Sequence, residues 1–383
     1  MENGKANTHL VRSMNILSLF DGISCARVAL ERVGIPITKY YASEIDKNAI
    51  AVAMKNYPDT IQLGDVRGIH GNDNLKQPKY LFIGKIEKQT ILHTNGIDLL
   101  VGGSPCQDLS IAQKNRKGLD GERSGLFWEY VRILKEVKPK WFILENVSSM
   151  SKEAKEIITK ELGVEPIMIN AALVSAQNRK RLFWTNIPNV VLPEDRGIFL
   201  KDILEENVDE SFYAKMASGG NSINRTTNFV VKPKSNTIRS SGRGSGIDNK
   251  HNWGTIRIGS INKGGQGDRI YSPEGKSVRL SALGGGRGAK TGLYIVQTPR
   301  GKNTGGKRAL NGKVPTLSSS SWEHNNKLSE NEMIRKLTPV ECERLQSLPD
   351  DYTDGVSNTQ RYKALGNAFN VEVVAHILKS IAN

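Results

Sequence analysis

Three scarcities bound what this 383-residue chain can be. Long apolar runs are missing: none approaches the ~20 residues of a membrane span, and residues 1–13 are polar, without the apolar core of a signal peptide. Those residues read as a flexible tail. Cysteine is scarce too, with only Cys25, Cys106 and Cys342, far apart and without metal-ligand spacing. That pattern argues against a disulfide framework or a zinc site and for a reducing compartment. Acid is missing locally. Residues 212–330 hold 20 Lys and Arg against 5 Asp and Glu, an excess of 15 that accounts for the whole net charge of +15. The same stretch holds 20 of the 37 glycines. A basic, glycine-rich segment on a neutral scaffold is the footprint of a phosphate-backbone binder.

What is present is a rhythm. Strand-like apolar runs alternate with helical patterns over the first two hundred residues: 15–20, then a helix over 26–33; 39–43, then a helix near 49–52; 98–101; a helix over 126–135; and 141–144. Such alternation predicts an α/β fold with a mostly parallel sheet covered on both faces. The basic stretch breaks the rhythm with short strands at 255–258, 269–271 and 293–296, and helical patterning returns at 338–346 and 371–381. The expected organisation is a tail (1–13), a catalytic domain (14–205), a smaller, irregular, β-rich inserted domain (206–330), and a segment (331–383) that returns to complete the first domain.

The chemistry-bearing residues fall at strand ends. Cys106 follows the run ending at Val101, in the turn Gly102-Gly103-Ser104-Pro105-Cys106-Gln107, where two glycines and a proline are expected to shape the backbone. Carboxyl ends of parallel strands are where α/β sheets build binding crevices. A lone thiol is more often structural than reactive, so its neighbours decide. The first strand runs into Phe20-Asp21-Gly22-Ile23-Ser24, a small-residue turn that lets a ligand approach backbone amides. Glu44 ends the second strand and suits ribose hydroxyls; Asp65 ends the third and suits an adenine amine. Together they describe a nucleoside site without a phosphate lysine, a better fit to S-adenosylmethionine than to ATP or NAD. Glu145 follows the strand 141–144, where partial desolvation would raise its pKa and suit it to donate a proton. Arg179 and Arg181, two apart before Leu182-Phe183-Trp184, would share one face of a strand.

These motifs, with Gln177-Asn178-Arg179-Lys180-Arg181, Leu337-Thr338-Pro339 through Gln346, and Tyr362-Lys363-Ala364-Leu365-Gly366-Asn367-Ala368, resemble the ordered motif set of the DNA (cytosine-5) methyltransferases, from residue 15 to about 381. The resemblance implies a Rossmann-like, S-adenosylmethionine-dependent fold and no metal. It implies Cys106 as the nucleophile that adds to carbon 6 of a cytosine flipped out of duplex DNA. Glu145 would contact ring N3 and the exocyclic amine, Arg181 the base oxygen O2, and Arg179 the loop and thiolate. Phe20, Gly22, Ile23, Ser24, Glu44, Asp65, Pro105, Asn367 and Ala368 would bind the cofactor, with Ser24 standing where many members carry glycine. Residues 108–125 would close as a lid.

The basic segment corresponds to the target-recognition domain and resembles that of HhaI-type bacterial modification enzymes. Lys263, Gln266, Arg269, Arg279 and Thr316, with Gln107 beside the thiol, would contact DNA. Gln266 would fill the gap left by the flipped base and Arg269 would read guanine. GCGC, the sequence the HhaI-type enzymes read, is the starting expectation for the target. The expected setting is a bacterial or phage modification system, in the cytoplasm, as a monomer, with a cognate restriction endonuclease acting separately. An RNA (tRNA) cytosine methyltransferase on the same fold is one alternative. A catalytically inactive DNA-binding module is another, disfavoured by the joint presence of Cys106, Glu145 and Arg181.

Overall fold

The computed structural model describes residues 12–71, 80–84, 90–105, 125–206, 208–209, 257–260, 269–271, 275–278, 293–297, 332–335 and 337–382. In chain order the first eleven strands are β1 (Met14–Leu19), β2 (Ile37–Ser43), β3 (Ile61–Gln62), β4 (Ile69–Gly71), β5 (Tyr80–Ile83), β6 (Thr90–His93), β7 (Leu99–Gly102), β8 (Trp141–Val147), β9 (Ile167–Asn170), β10 (Gln177–Asn178) and β11 (Lys180–Thr185). Seven of them form the main sheet in the order β3-β2-β1-β7-β8-β11-β9. The pairs β3–β2, β2–β1, β1–β7 and β7–β8 are parallel, and β11 runs antiparallel to both its neighbours. The order reverses beside β1, so the carboxyl ends of β1 and β7 flank the crevice where such sheets bind ligands.

Alternation along the central strands builds two cores. Ile16, Tyr40, Leu99, Val101 and Ile143 face one side and pack on helix α1 (Cys25–Arg32). Leu17, Leu19, Tyr41, Leu100 and Leu144 face the other. They meet Phe127, Tyr130 and Val131 of α3 (Leu126–Val137) and Ile158 of α4 (Lys152–Leu162). A strand buried on both faces must be apolar throughout, which is why these runs read so plainly. Between β2 and β3 lies α2 (Lys47–Asn56), capped by the Asp46 side chain.

Two features depart from expectation. A three-stranded antiparallel sheet, β4-β5-β6, sits between β3 and β7, in a polar stretch where no strands were expected. It leans on α3, where Gly71 N–H donates to Glu136 Oε2 at 2.8 Å. And β8 does not stop at Leu144: it runs through Val147, so Glu145 lies inside the strand, opposite Phe183 of β11.

The chain then returns. Strands β12 (Arg257–Ser260), β13 (Arg269–Tyr271), β15 (Leu293–Gln297) and β16 (Glu332–Arg335) make a four-stranded sheet in that order. Strand β14 (Ser277–Val278) instead pairs in parallel with β10 of the catalytic part. Beside it Lys276 is almost fully buried and donates to the carbonyls of Ala172 (2.9 Å), Ser175 (3.4 Å) and Ile198. Three helices close the chain: α5 (Pro339–Leu345), α6 (Asn358–Asn367) and α7 (Val371–Ala382). Thr338 caps α5 in a capping box with Glu341, and Pro339 occupies the first turn. Apolar residues of α7 join the core under α1, and Glu372 bridges Arg32 at 2.6 Å and Arg196 at 2.7 Å. Among the described residues no helix is long and apolar enough to cross a membrane.

Candidate active site

The turn after β7 is defined by what presses on it. A Cβ on Gly102 would lie 2.9 Å from the Tyr130 ring, and one on Gly103 would lie 2.8 Å from the Phe369 ring and 3.2 Å from Glu145 Oε2. Neither glycine has a positive φ. Their purpose is therefore close approach, not the turn conformation expected from sequence. Asn146 of β8 donates to Ser104 Oγ at 3.2 Å and to the Ser104 carbonyl at 3.4 Å, holding the buried Ser104 against the neighbouring strand. Pro105 follows, half-buried. Cys106, Gln107 and most of the expected lid lie outside the described residues, as do Lys263, Gln266, Arg279 and Thr316. The backbone of Arg269 lies in β13, paired with Ser260.

Glu145 and Arg181 form one unit. Arg181 Nε lies 2.6 Å from Glu145 Oε1, with side chains only 10% and 13% exposed. The antiparallel pairing sets this contact: Arg181 is opposite Val147 and Glu145 opposite Phe183, a diagonal within reach of long side chains. Glu145 is largely desolvated, as its place at the sheet edge predicts, and it also faces a guanidinium. Arg179 lies at the break between β10 and β11, only 3% exposed, and donates to the Gly366 carbonyl at 3.3 and 3.2 Å and to the Ala368 carbonyl at 2.9 Å. A run of charges in the sequence is usually solvated; here the returning segment supplies carbonyls that make burial tolerable. Glu145, Arg179, Arg181 and Phe369 line one small cleft at this sheet edge.

A second cluster lies at the carboxyl ends of β1 and β2. Phe20, Gly22 and Ser24 all have left-handed backbones, with φ of 57, 61 and 59°. Gly22 N–H donates to Glu44 Oε2 at 2.8 Å, while Glu44 Oε1 accepts from the amides of Ile45 (2.7 Å) and Asp46 (2.9 Å). Nothing lies within 4 Å of where a Gly22 Cβ would be, so this turn opens onto free space. Phe20 is half-buried beside it, whereas the Ile23 side chain is 1% exposed and belongs to the core. Ser24 is buried, and its left-handed conformation explains why glycine suits this position.

Asp65 caps a short 3₁₀ turn at Val66–Gly68 and is paired with Arg67 at 2.5 Å, which holds its carboxyl below the usual range. Its carboxylate is thus engaged, not waiting bare at the strand end. Asn367 ends α6 exposed, and Ala368 is buried. Burial raises the pKa of both Cys25 and Cys342, which suits inert core thiols.

Sequence reasoning missed three contributors. Asp21 is a buried acid beneath the Phe20–Ser24 turn. Phe369 lies just beyond the motif ending at Ala368. Ile45, next to Glu44, is 68% exposed, an exposure that its residue type does not announce.

The chain matches the family model for C-5 cytosine-specific DNA methylase over residues 14–383. It is 28% identical to the type II methyltransferase M.HhaI of Haemophilus parahaemolyticus, over 97% of this chain and 94% of that protein. It is also 28% identical to the orphan methyltransferase M.SPRI of Bacillus phage SPR, over 96% and 97%. Among solved structures, the Entamoeba histolytica methyltransferase EhMeth superposes with a TM-score of 0.60 at 16% identity, covering 97% of this chain and 98% of that one. The S. pombe Dnmt2 methyltransferase superposes with a TM-score of 0.56 at 17% identity, covering 96% and 98%. At those identities the two structures speak for the fold alone. With the match spanning the whole described sheet and both strand-edge clusters, the chain belongs to the C-5 cytosine-specific DNA methylase family.

Proposed function

We propose that this protein transfers a methyl group to carbon 5 of a cytosine flipped out of a specific sequence in duplex DNA, through a covalent adduct between Cys106 and carbon 6. The observation that carries this reading is the Glu145–Arg181 pair, with Glu145 Oε2 3.2 Å from where a Cβ on Gly103 would stand, three residues before the thiol. Carbon 5 of cytosine is a poor nucleophile, and addition of a thiolate at carbon 6 corrects that by making the ring an enamine. Glu145 holds the N3 edge and stabilises the charge that develops there, and Arg181 holds O2 while keeping the Glu145 carboxylate in place. Arg179 ties the strand carrying Arg181 to the returning segment. Once carbon 5 has taken the methyl, with S-adenosylhomocysteine as the leaving group, a base removes the carbon-5 proton and the carbon 6–sulfur bond breaks, releasing the Cys106 thiolate and restoring the aromatic ring.

Members of this family use S-adenosylmethionine, which supplies the electrophilic methyl when bound. The open turn at Gly22, the Glu44 carboxylate at the end of β2 and the exposed Ile45 beside it fit a nucleoside: a bidentate acceptor for ribose hydroxyls next to an apolar surface. Phe20 and Pro105 would complete the cradle. Ile23 and Ser24 would contribute backbone, and Asn367 and Ala368 would line the methionine end. Asp65 would meet the adenine amine only after exchanging its Arg67 contact. The basic segment 212–330, with Lys263, Gln266, Arg269, Arg279 and Thr316, would grip and read the duplex, and Gln107 would meet the DNA beside the thiol. Its size favours duplex DNA over RNA. The catalytic domain would span 14–205 and 331–383, in a monomer of a bacterial or phage modification system.

The test is transfer of labelled methyl from S-adenosylmethionine to plasmid DNA, with tRNA in parallel. Wild type should label plasmid DNA, and Cys106→Ser should not. Inert wild type would end the enzyme reading, and labelling of tRNA alone would shift the substrate to RNA. Bisulfite sequencing of the labelled plasmid would give the modified carbon and the recognised bases, with GCGC as the starting expectation.

A further inference from the structure

The Phe20–Ser24 turn is unusual because two of its three left-handed residues carry side chains. Phe20 and Ser24 occupy a conformation in which Cβ crowds the backbone, so something must hold them. Ser24 sits at the N-cap of α1, yet its hydroxyl makes no capping bond. It donates to Asp21 Oδ2 at 2.5 Å instead. The other oxygen of Asp21 accepts from the Tyr40 hydroxyl of β2 at 2.7 Å. The Asp21 backbone closes the turn as well: its N–H donates to the Ser43 carbonyl at 3.0 Å, and its carbonyl accepts from Ser24 N–H at 3.2 Å. Asp21 is only 7% exposed. A buried carboxylate that joins two hydroxyls from different elements is costly unless both bonds form, so it enforces their geometry.

The consequence falls on the neighbouring residue. Gly22 lies between Asp21 and Ser24, and its amide donates to Glu44 at 2.8 Å. The direction of that amide is set by the turn that Asp21 locks. We infer that Asp21 is a positioning residue for the cofactor: with Ser24 and Tyr40 it fixes the left-handed turn that aims the Gly22 amide at Glu44, and so sets affinity for S-adenosylmethionine without touching it. This rests on the reading of Glu44 as the ribose-binding acid.

The test uses the full-length protein. KM for S-adenosylmethionine and kcat are measured on plasmid DNA, and binding of S-adenosylhomocysteine is measured by calorimetry. Asp21→Ala should raise KM and weaken binding about tenfold while kcat stays within twofold. Adding Ser24→Gly should recover most of the loss, because glycine adopts the left-handed conformation unaided. A role in general stability would instead lower the melting temperature and the active fraction at unchanged KM. Should Asp21→Ala fail to fold, Asp21→Asn, of the same size, is read the same way: KM raised, and lowered again by Ser24→Gly. Unchanged KM, a fall in kcat at unchanged KM, or no rescue would each overturn the inference. Glu44→Ala separates the two claims. If it leaves KM unchanged, the ribose reading falls; if it raises KM while Asp21→Ala does not, only the positioning role falls.

Discussion

Replacing Gly103 with alanine adds one methyl group where three elements meet. The new Cβ would stand 2.8 Å from Phe369 Cε1 and 3.2 Å from Glu145 Oε2, against ordinary contacts of 3.4–4 Å. The ring must therefore retreat by about 0.6 Å and the carboxylate by about 0.2 Å, taking 3.4 Å as the nearest ordinary contact. Neither moves freely. Phe369 follows the carbonyl of Ala368, which holds Arg179, and Glu145 is paired with Arg181. Overpacking of this kind costs about 1–3 kcal/mol of stability, which a protein of this size can survive. Catalysis should suffer more, because a misplacement of about 1 Å at a reacting centre can cost roughly a hundredfold. We expect Gly103→Ala to stay folded by circular dichroism and to lose at least about tenfold in kcat on plasmid DNA, with KM for S-adenosylmethionine little changed. Gly102→Ala, pressed by the Tyr130 ring behind the sheet, should instead lower the melting temperature. Wild-type kcat in Gly103→Ala would refute the claim that close approach fixes the thiol turn against Glu145.

Three further expectations follow from the ion pairs and the buried lysine. In a double-mutant cycle of Glu145→Gln and Arg181→Ala, urea unfolding should give a coupling of about 1–3 kcal/mol, since either partner alone is left largely buried; a coupling below about 0.5 kcal/mol would mean the two do not act as a unit. Lys276→Met would strip the donors from the carbonyls of Ala172, Ser175 and Ile198, and about 2–4 kcal/mol of destabilisation is expected, read as earlier unfolding in urea and faster proteolysis near residue 198. Burial raises the Glu372 pKa, but Arg32 and Arg196 outweigh it and hold the carboxyl below its usual range. A lowered folded pKa means that the stabilising contribution is fully present above ~4.3 and is lost as the pH falls through the folded value. Glu372→Gln should thus cost roughly 1 kcal/mol at neutral pH, discounted for the partly exposed arginines, and the gap in melting temperature to wild type should shrink as the pH falls below ~4.3.

Much of the scaffold is legible because its strands are buried on both faces. Runs such as Leu99–Val101 have no alternation to misread, and the acids and small residues after them mark the sheet's carboxyl edge. The β4–β5–β6 sheet escapes notice because its strands are short and separated by polar, charged residues, the composition of a loop. The extension of β8 through Glu145 escapes for a related reason: Glu145-Asn146 looks like the end of a strand until β11 pairs with it. That β11 runs antiparallel is not written in its own residues; it follows from the connection.

What the sequence leaves out is the set of partners that lie far along the chain. Arg179 can be singled out from its motif, but nothing in its neighbours names its partners, carbonyls 187 and 189 residues away. Gly103 reads as a residue that shapes the turn, yet it is small because Phe369 leans on it. Both partners belong to the returning segment. The same segment also braces the cofactor turn, where the Tyr352 hydroxyl donates to the Ile23 carbonyl at 2.7 Å. The closing helices are therefore part of the site as well as its cover. With their connections they give Arg179 the Gly366 and Ala368 carbonyls, press Phe369 on Gly103 and bond Tyr352 to the Ile23 carbonyl, so loosening the end of the chain would release contacts at both strand-edge clusters.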